Sequence, residues 1–399
     1  MTNGVVLLSK ETLDDLEQWG TDVIFGRARG FRAGVMRAFL RGLSWIYRGL
    51  IELRLSIYRH RIKHERNLGT LVISIGNITV GGTGKTPVVE LFARTLRDKG
   101  RRVAILSRGY KSKELETPQD WHGVPAEEMP KLVSDGEELL LGPEHAGDEP
   151  YMLAKNLKGV AVVVDRDRVK GGRFAVNQLG VDTLLLDDGM QYLDLGHELD
   201  VVLVDSQAPF GTGAMLPRGT MREPAKSLRR ASYLFLTKCQ GASNEELIKK
   251  IRKHNRTADL IECTHGPIQL ENVFTGEVKP LSFLDGKYVA CISGIARPES
   301  FEGAVEALGA KVEIRRAFND HHWFEQKDID EFMTRCVDRD MELIVTTEKD
   351  AVRFPKPSEL DVPIYFLRIE VDILRGQENW DRCIERILAH EKARQPHQW

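Results

Sequence analysis

Residues 76–87 read Gly76-Asn77-Ile78-Thr79-Val80-Gly81-Gly82-Thr83-Gly84-Lys85-Thr86-Pro87, and they start where the apolar run 71–76 ends. Glycines at 81, 82 and 84 let backbone N–H groups close on phosphate oxygens, and the positive end of a helix beginning at Pro87 reinforces them. Lys85 has the reach for β- and γ-phosphates, and the Thr86 hydroxyl suits a Mg²⁺ ligand. Pro87 fits the first helical turn, where a missing N–H costs nothing. Strand, glycine loop and helix in that order make residues Thr79, Val80, Gly81, Gly82, Thr83, Gly84, Lys85 and Thr86 a P-loop. The general pattern G-x-x-x-x-G-K-[ST] has glycine at the first position, where this chain has Thr79.

Around this loop, short apolar runs alternate with helical patterns. Strands are expected at 71–76, 103–107, 160–165, 183–188, 201–205 and 233–237, with helices at 87–99, 149–156, 169–179 and 244–253. Runs that are apolar throughout, rather than alternating, suit a sheet buried on both faces, which predicts a mostly parallel α/β core. A Gly/Pro-punctuated stretch with short strand-like pieces, 265–285, reads as a hairpin-like connector. Strands at 288–295, 312–318, 343–347 and 364–371 follow, with helices at 299–308, 328–336 and 380–393, then a polar tail. The expected fold is a P-loop NTPase-type core with a second, smaller α/β domain and an N-terminal amphipathic helix. The expected boundaries are 1–66, 67–260 and 261–399.

The N-terminal segment is set apart by charge. Residues 27–63 carry ten Lys/Arg against one acid, Glu52, while Val35, Phe39, Leu43, Ile46, Leu50, Leu53 and Ile57 recur at helical spacing. Such a helix either lies on an anionic membrane or packs on the protein. The formal net charge of −2 gives the whole molecule no electrostatic case for nucleic acid. Five scattered cysteines without a C-x-x-C pair argue against a disulfide framework or zinc site and for a reducing compartment. Acids between Glu11 and Glu17 stand where a secretory signal needs basic, then apolar, residues. No segment reaches the ~18 uncharged apolar residues of a spanning helix. No obligate protein partner is evident.

P-loops serve many chemistries, so the remaining motifs decide. A guanine reader N/T-K-x-D is missing: Thr237-Lys238-Cys239-Gln240 lacks the Asp, and Thr347-Glu348-Lys349-Asp350 has the wrong spacing. A dimeric switch ATPase would carry Lys where Val80 stands. The run ending Asp187-Asp188-Gly189 has the form of a Walker B element that holds Mg²⁺ or its water, with turn capping as the plainer alternative. Asp148, in Gly147-Asp148-Glu149-Pro150, is either a helix N-cap or a general base for a hydroxyl. In Asn319-Asp320-His321-His322, Asp320 is either a cap beside solvated histidines or part of a site. Arg108, Arg166, Arg168, Arg218 and Arg222 lie at strand ends or in loops, where anion clamps are built.

Taken with Ser107-Arg108-Gly109-Tyr110, Leu216-Pro217, Met221-Arg222-Glu223-Pro224, Ser293-Gly294-Ile295 and Thr347-Glu348-Lys349-Asp350-Ala351-Val352, these motifs resemble the tetraacyldisaccharide 4'-kinase family over nearly the whole chain. The family too lacks glycine at position 79. The resemblance implies ATP- and Mg²⁺-dependent phosphorylation of the 4'-hydroxyl of a lipid A disaccharide 1-phosphate precursor, by a peripheral protein on the cytoplasmic face of the inner membrane. It implies that Asp148 is catalytic with His321 and Lys85, and that Thr86, Asp187, Asp188 and Glu223 bind metal. Asn77, Arg108, Tyr110, Arg166, Gln191 and Arg222 match substrate positions. Met190, Gln191 and Tyr192 replace the family's usual Phe-Gln-His, and Arg218 and Thr220 stand in its Leu-Pro-Ala-Gly-Pro-Leu run. The resemblance assigns no role to Tyr192 or Arg218. A soluble small-molecule kinase and an ATP-regulated binding protein are the competing expectations.

Overall fold

The computed structural model describes residues 10–355 and 360–390. Two helices lead the chain, α1 (Lys10–Ile24) and α2 (Phe31–Arg59). The first half of the fold then runs β1 (Leu71–Asn77), α3 (Lys85–Asp98), β2 (Val103–Ser107), β3 (Lys131–Ser134), α4 (Pro143–Ala146), α5 (Asp148–Asn156), β4 (Val160–Val164), α6 (Arg168–Gln178), β5 (Thr183–Asp187), β6 (Leu199–Asp205), β7 (Tyr233–Thr237) and α7 (Glu245–Arg252). The second runs β8 (Asp259–Asn272), β9 (Val278–Lys279), β10 (Tyr288–Ser293), α8 (Pro298–Ala307), β11 (Lys311–Ala317), α9 (Gln326–Val337), β12 (Leu343–Thr347), α10 (Glu348–Ala351), β13 (Ile364–Arg375) and α11 (Gln377–Ala389).

Among the described residues the strands join one sheet in the order β11-β10-β12-β13-β8-β7-β6-β1-β5-β2-β4-β3, with β9 on β8. Pairing is parallel except at β3/β4, β8/β9 and β8/β13, so the mostly parallel α/β class holds. Strands β1, β2, β4, β5 and β7 are buried along their whole length, as their unbroken apolar runs require. Helix α3 turns Val88, Val89, Phe92, Ala93 and Leu96 onto Leu71, Ile73, Ile75, Val103 and Ile105.

Three features depart from the sequence expectation. The stretch read as a hairpin-like connector holds the antiparallel pair of β8 with β9, but also the second half of β8, a 14-residue strand that starts at Asp259 and pairs parallel with β7 and then antiparallel with β13. Pro267 cannot donate to a ladder, and the register slips beside it, between Arg368 and Ile369. That proline and its neighbouring glycine hid the strand. The edge strand β3 and helix α1 were also not anticipated. Finally, α11 packs Trp380, Cys383, Ile384 and Ile387 into the core around Phe92, in the first half. Its Trp380 ring meets Phe92 edge-on at 4.7 Å. The end expected for this helix, 391–393, and the polar tail lie outside the described residues.

Helix α2 is held at a few polar points. Ser44 Oγ donates to the Met215 carbonyl at 3.0 Å, Tyr47 OH to that of Arg222 at 3.2 Å, and Lys226 pairs with Glu52. Its apolar stripe faces outward: Val35, Phe39, Leu43, Ile46, Leu50 and Leu53 are all exposed, Phe39 by 60% and Leu50 by 61%. No helix among the described residues is long and apolar enough to cross a membrane.

Phe92 is fully buried between β7 and α11. Phe92→Ala should lower unfolding free energy by about 3–5 kcal/mol in a denaturant titration. A loss under about 1 kcal/mol would mean that α11 does not close this core.

Candidate active site

Because β1, β2, β5, β6 and β7 run parallel, their C-terminal ends bring Asn77, Ser107, Asp187, Asp205 and Thr237 to one edge of the sheet, where open α/β sheets bind ligands. The loop after β1 is packed from within. Asn77 Nδ2 donates to Thr83 Oγ1 at 2.9 Å, and Asn77 Oδ1 accepts from Lys85 Nζ at 3.4 Å. Gly76 admits no larger residue, since a Cβ there would lie 2.7 Å from that of Met190.

Three successive loop carbonyls are occupied from behind. Gly82 O accepts from Lys238 Nζ at 2.5 Å, Thr83 O from Thr237 Oγ1 at 2.8 Å, and Gly84 O from His265 Nε2 at 3.2 Å. Lys238 is braced by Asp205 at 2.6 Å. Gly84 is left-handed, with φ at 78°, and a Cβ on it would overlap the His265 ring. Burial pushes the His265 imidazole pKa down. Sequence reading tested Thr237-Lys238 only as a base reader and left His265 in the connector. Side chains that hold a loop by its carbonyls carry no spacing signature.

Asp187 and Asp188 differ sharply. Asp188, at φ 56°, points at two cations: Lys85 Nζ is 3.5 Å from Oδ1 and Arg222 Nη1 2.6 Å from Oδ2. Burial opposes its charge, but Lys85 and Arg222 outweigh that and hold its pKa below the usual range. Asp187 accepts from Ser107 Oγ at 3.3 Å, while its Oδ1 is buried with no partner. Burial first, then the charges of Glu149 and Asp188, push its pKa up to about 7. An orphaned carboxylate oxygen in a dry pocket fits a cation. No group of three His, Cys, Asp or Glu among the described residues could hold a metal ion on its own. The donor set therefore suits a hard ion that takes one or two carboxylates and keeps phosphate and water ligands.

Glu223, matched to a metal-binding position in the sequence, instead gives both oxygens to Arg230, at 2.8 and 2.9 Å, and also accepts from Gln191. Gln191 further donates to the Asn77 carbonyl, and Arg222 donates to Gln191 Oε1. Arg166 lies exposed, 3.9 Å from Glu114. Its neighbour Arg168 is the buried one, set over the Tyr192 ring and in the field of Asp187 and Asp188. The two open residues act structurally. Tyr192 OH donates to Asp167 and accepts from the Arg168 amide, and Arg218 donates to the Ile24 carbonyl of α1.

Across from the loop, the two halves meet at Asp148 and His321. Asp148 is the first residue of α5, after Gly147, so it is not the cap; its Oδ1 accepts from the adjacent Glu149 amide at 2.9 Å. Its Oδ2 accepts from His321 Nδ1 at 2.8 Å. Burial pushes the Asp148 pKa up, but the His321 hydrogen bond and the Lys349 charge overcome it, holding the carboxyl below its usual range. Asp320 does not cap α9 either, since Glu325 and Asp328 form its capping box. Tyr110, Lys111, Gly147, Asp148, His321 and Trp323 line a shallow cavity here. Tyr110 meets the His321 ring edge-on at 5.4 Å, while Arg108 is exposed beside it in the chain.

A family profile described as tetraacyldisaccharide-1-P 4'-kinase matches residues 36–389. The chain belongs to this family. It is therefore an enzyme, a phosphotransferase with an alcohol acceptor. The tetraacyldisaccharide 4'-kinase of Anaeromyxobacter dehalogenans (strain 2CP-C) is 38% identical to it, covering 83% of this chain and 85% of that protein. That of Syntrophus aciditrophicus is 35% identical, covering 88% and 92%. The fold is also similar to a crystal structure of LpxK from Aquifex aeolicus in complex with ATP, at 29% identity and a TM-score of 0.68, covering 88% of this chain and 99% of that one.

The Asp187 environment predicts a pH signature for the protein alone. With a folded-state pKa raised to about 7, well above that of a free aspartate, the cost of ionising it is absent in acid, grows as pH rises and is complete above about pH 7. Asp187→Asn should therefore raise Tm at about pH 8, with a gain that shrinks toward about pH 4. A gain that instead grew in acid would contradict the buried, unpaired carboxylate.

Proposed function

We propose that this chain transfers the γ-phosphate of ATP to the 4'-hydroxyl of a tetraacyldisaccharide 1-phosphate, a lipid A precursor, while resting on the cytoplasmic face of the inner membrane. The observation that carries this reading is the meeting of Asp148 and His321, from opposite halves of the fold, beside a P-loop and the Asp187–Asp188 carboxylate pair. The loop amides from Gly81 to Thr86 and the Lys85 ammonium bind the phosphates, the carbonyls of Gly82, Thr83 and Gly84 being turned back onto Lys238, Thr237 and His265; the Val80 amide, read from the sequence as part of the phosphate cradle, is instead donated to the Thr220 carbonyl at 2.7 Å. Thr86, Asp187 and Asp188 would hold Mg²⁺, and the ion would supply neutralisation of the phosphate charge. Glu223, already paired with Arg230, orders Gln191 rather than binding the ion.

Asp148 accepts the acceptor hydroxyl's proton. It is ionised at neutral pH because its pKa is held low, and it is oriented by His321. The cavity lined by Tyr110 and Trp323 takes the sugar, and exposed Arg108 and Arg166 contact the substrate's anionic end. Asn77, Gln191 and Arg222 act by holding Lys85 and Asp188 in place.

The exposed stripe of α2 supports the membrane reading of that helix. A helix packed on the body would bury Phe39, Ile46, Leu50 and Leu53, and here they face outward among arginines. Each Lys/Arg near an anionic surface contributes ~1 kcal/mol, and the apolar stripe fits the headgroup boundary.

Asp148→Asn should cut turnover of the disaccharide 1-phosphate lipid by at least about 10²-fold, as general-base loss does, with ATP affinity by calorimetry nearly unchanged. Unimpaired turnover would remove Asp148 from the chemistry. Separately, Phe39→Glu with Leu50→Glu should abolish flotation with anionic phosphatidylglycerol vesicles without changing Tm, because both side chains are exposed. Retained flotation would show that α2 is not the membrane contact.

A further inference from the structure

The turn after β12, Thr347-Glu348-Lys349-Asp350, has a place in the site that no role yet covers. Lys349 Nζ lies 3.1 Å from His321 Nε2 and 3.2 Å from Glu149 Oε1. An ammonium group has only hydrogens to offer, so a contact at this distance requires a lone pair on Nε2. The single proton of the neutral ring then sits on Nδ1, where it is donated to Asp148 Oδ2. We propose that Lys349 is a positioning residue that fixes His321 as the neutral Nδ1–H tautomer and so aims one oxygen of Asp148.

The neighbours of Lys349 make its position rigid. Thr347 Oγ1 caps α10 by accepting from the Asp350 amide. Asp350 is fully buried against Arg353, whose guanidinium donates to the His322 carbonyl at 2.9 Å and to that of Gly294. This fixes the backbone on which His321 sits at a left-handed φ of 63°. On the other side Glu348 accepts from Asn156, the last residue of α5, the helix that begins at Asp148. One four-residue turn therefore holds the loop of the histidine, the helix of the aspartate and, through Lys349, the bond between them.

The consequence for the chemistry is a division of labour. With both ring nitrogens engaged, His321 holds a proton and passes none. As the new O–P bond forms and the bond from the γ-phosphorus to the departing ADP oxygen breaks, the acceptor hydroxyl's proton goes to Asp148. The inference rests on Asp148 being the base, and its test is chosen to be independent of that reading.

The test uses full-length protein labelled with ¹⁵N-histidine, with the His321 resonances assigned by their loss in His321→Gln. Long-range ¹H–¹⁵N correlation should show the parent's His321 protonated at Nδ1 alone. In Lys349→Met, whose side chain keeps the length but offers no donor, a proton should appear on Nε2, and turnover should fall on the order of 10²-fold with KM for ATP little changed. Lys349→Arg, which restores a charged donor, should recover the Nδ1–H signature. A thermal melt confirms that each variant is folded; should Lys349→Met not fold, Lys349→Leu, which also offers no donor, is read in its place. A parent with Nε2–H, or a tautomer unmoved by Lys349→Met, overturns the proposal. Turnover retained by Asp148→Asn would sink the general-base reading while leaving the tautomer result standing.

Discussion

The antiparallel pairing of β8 with β13 is the constraint on which the site depends. The phosphate loop belongs to the first half of the sheet and His321 to the second, so the distance between their chemistries is set by whatever joins the halves. That joint is a ladder from Tyr365 opposite Asn272 to Arg375 opposite Glu262, continued by the parallel pairing of β8 with β7. Charged side chains reinforce it. Arg368 on β13 is buried between Glu90 of α3 and Glu348 of α10, and Arg94 of α3 reaches Glu370 at 2.5 Å. Breaking one member of such a buried cluster leaves charges uncompensated, which is costly even where the intact cluster adds little net stability. The helix that begins at the P-loop is thereby tied to β13, the last strand of the second half.

Within the site, environment gives two carboxylates opposite characters. Asp187 is surrounded by apolar strand and by other acids, so its charge is disfavoured until a cation arrives. Asp148 is equally dry but meets a ring N–H and an ammonium, so its charge is favoured. Separating the pKa values of chemically identical groups lets one pocket give two acids different work, which is the division the proposed mechanism uses.

The fold class was legible because the strands of the first half are buried on both faces and so read as unbroken apolar runs. The P-loop was legible because glycine spacing and the Lys-Thr pair follow directly from the geometry of phosphate binding. Asp148 was ambiguous from sequence, since an aspartate at a helix start serves equally as cap or base; its place one residue inside the helix excludes the cap, and its bond to a residue 173 positions away supports the base. His265, Lys238 and Arg168 were opaque for the same reason: each acts through a backbone carbonyl or a field from a distant strand. The long strand β8 was hidden by Gly266-Pro267, although a proline tolerated at a register slip does not end a strand.

The placement of α11 bears on how this protein is made. Its Trp380 and Ile384 complete the core beneath the phosphate loop, yet they are separated from β7 by all of β8 through β13. A chain emerging from the ribosome can lay down the nucleotide-side strands early, but their central aromatic layer stays open to water until nearly the whole protein has been synthesised. Vectorial folding of a finished first unit is closed to this sequence. A nascent chain stalled anywhere before residue 380 exposes Phe92 and Phe235, which makes such a stalled chain a ready client for chaperones.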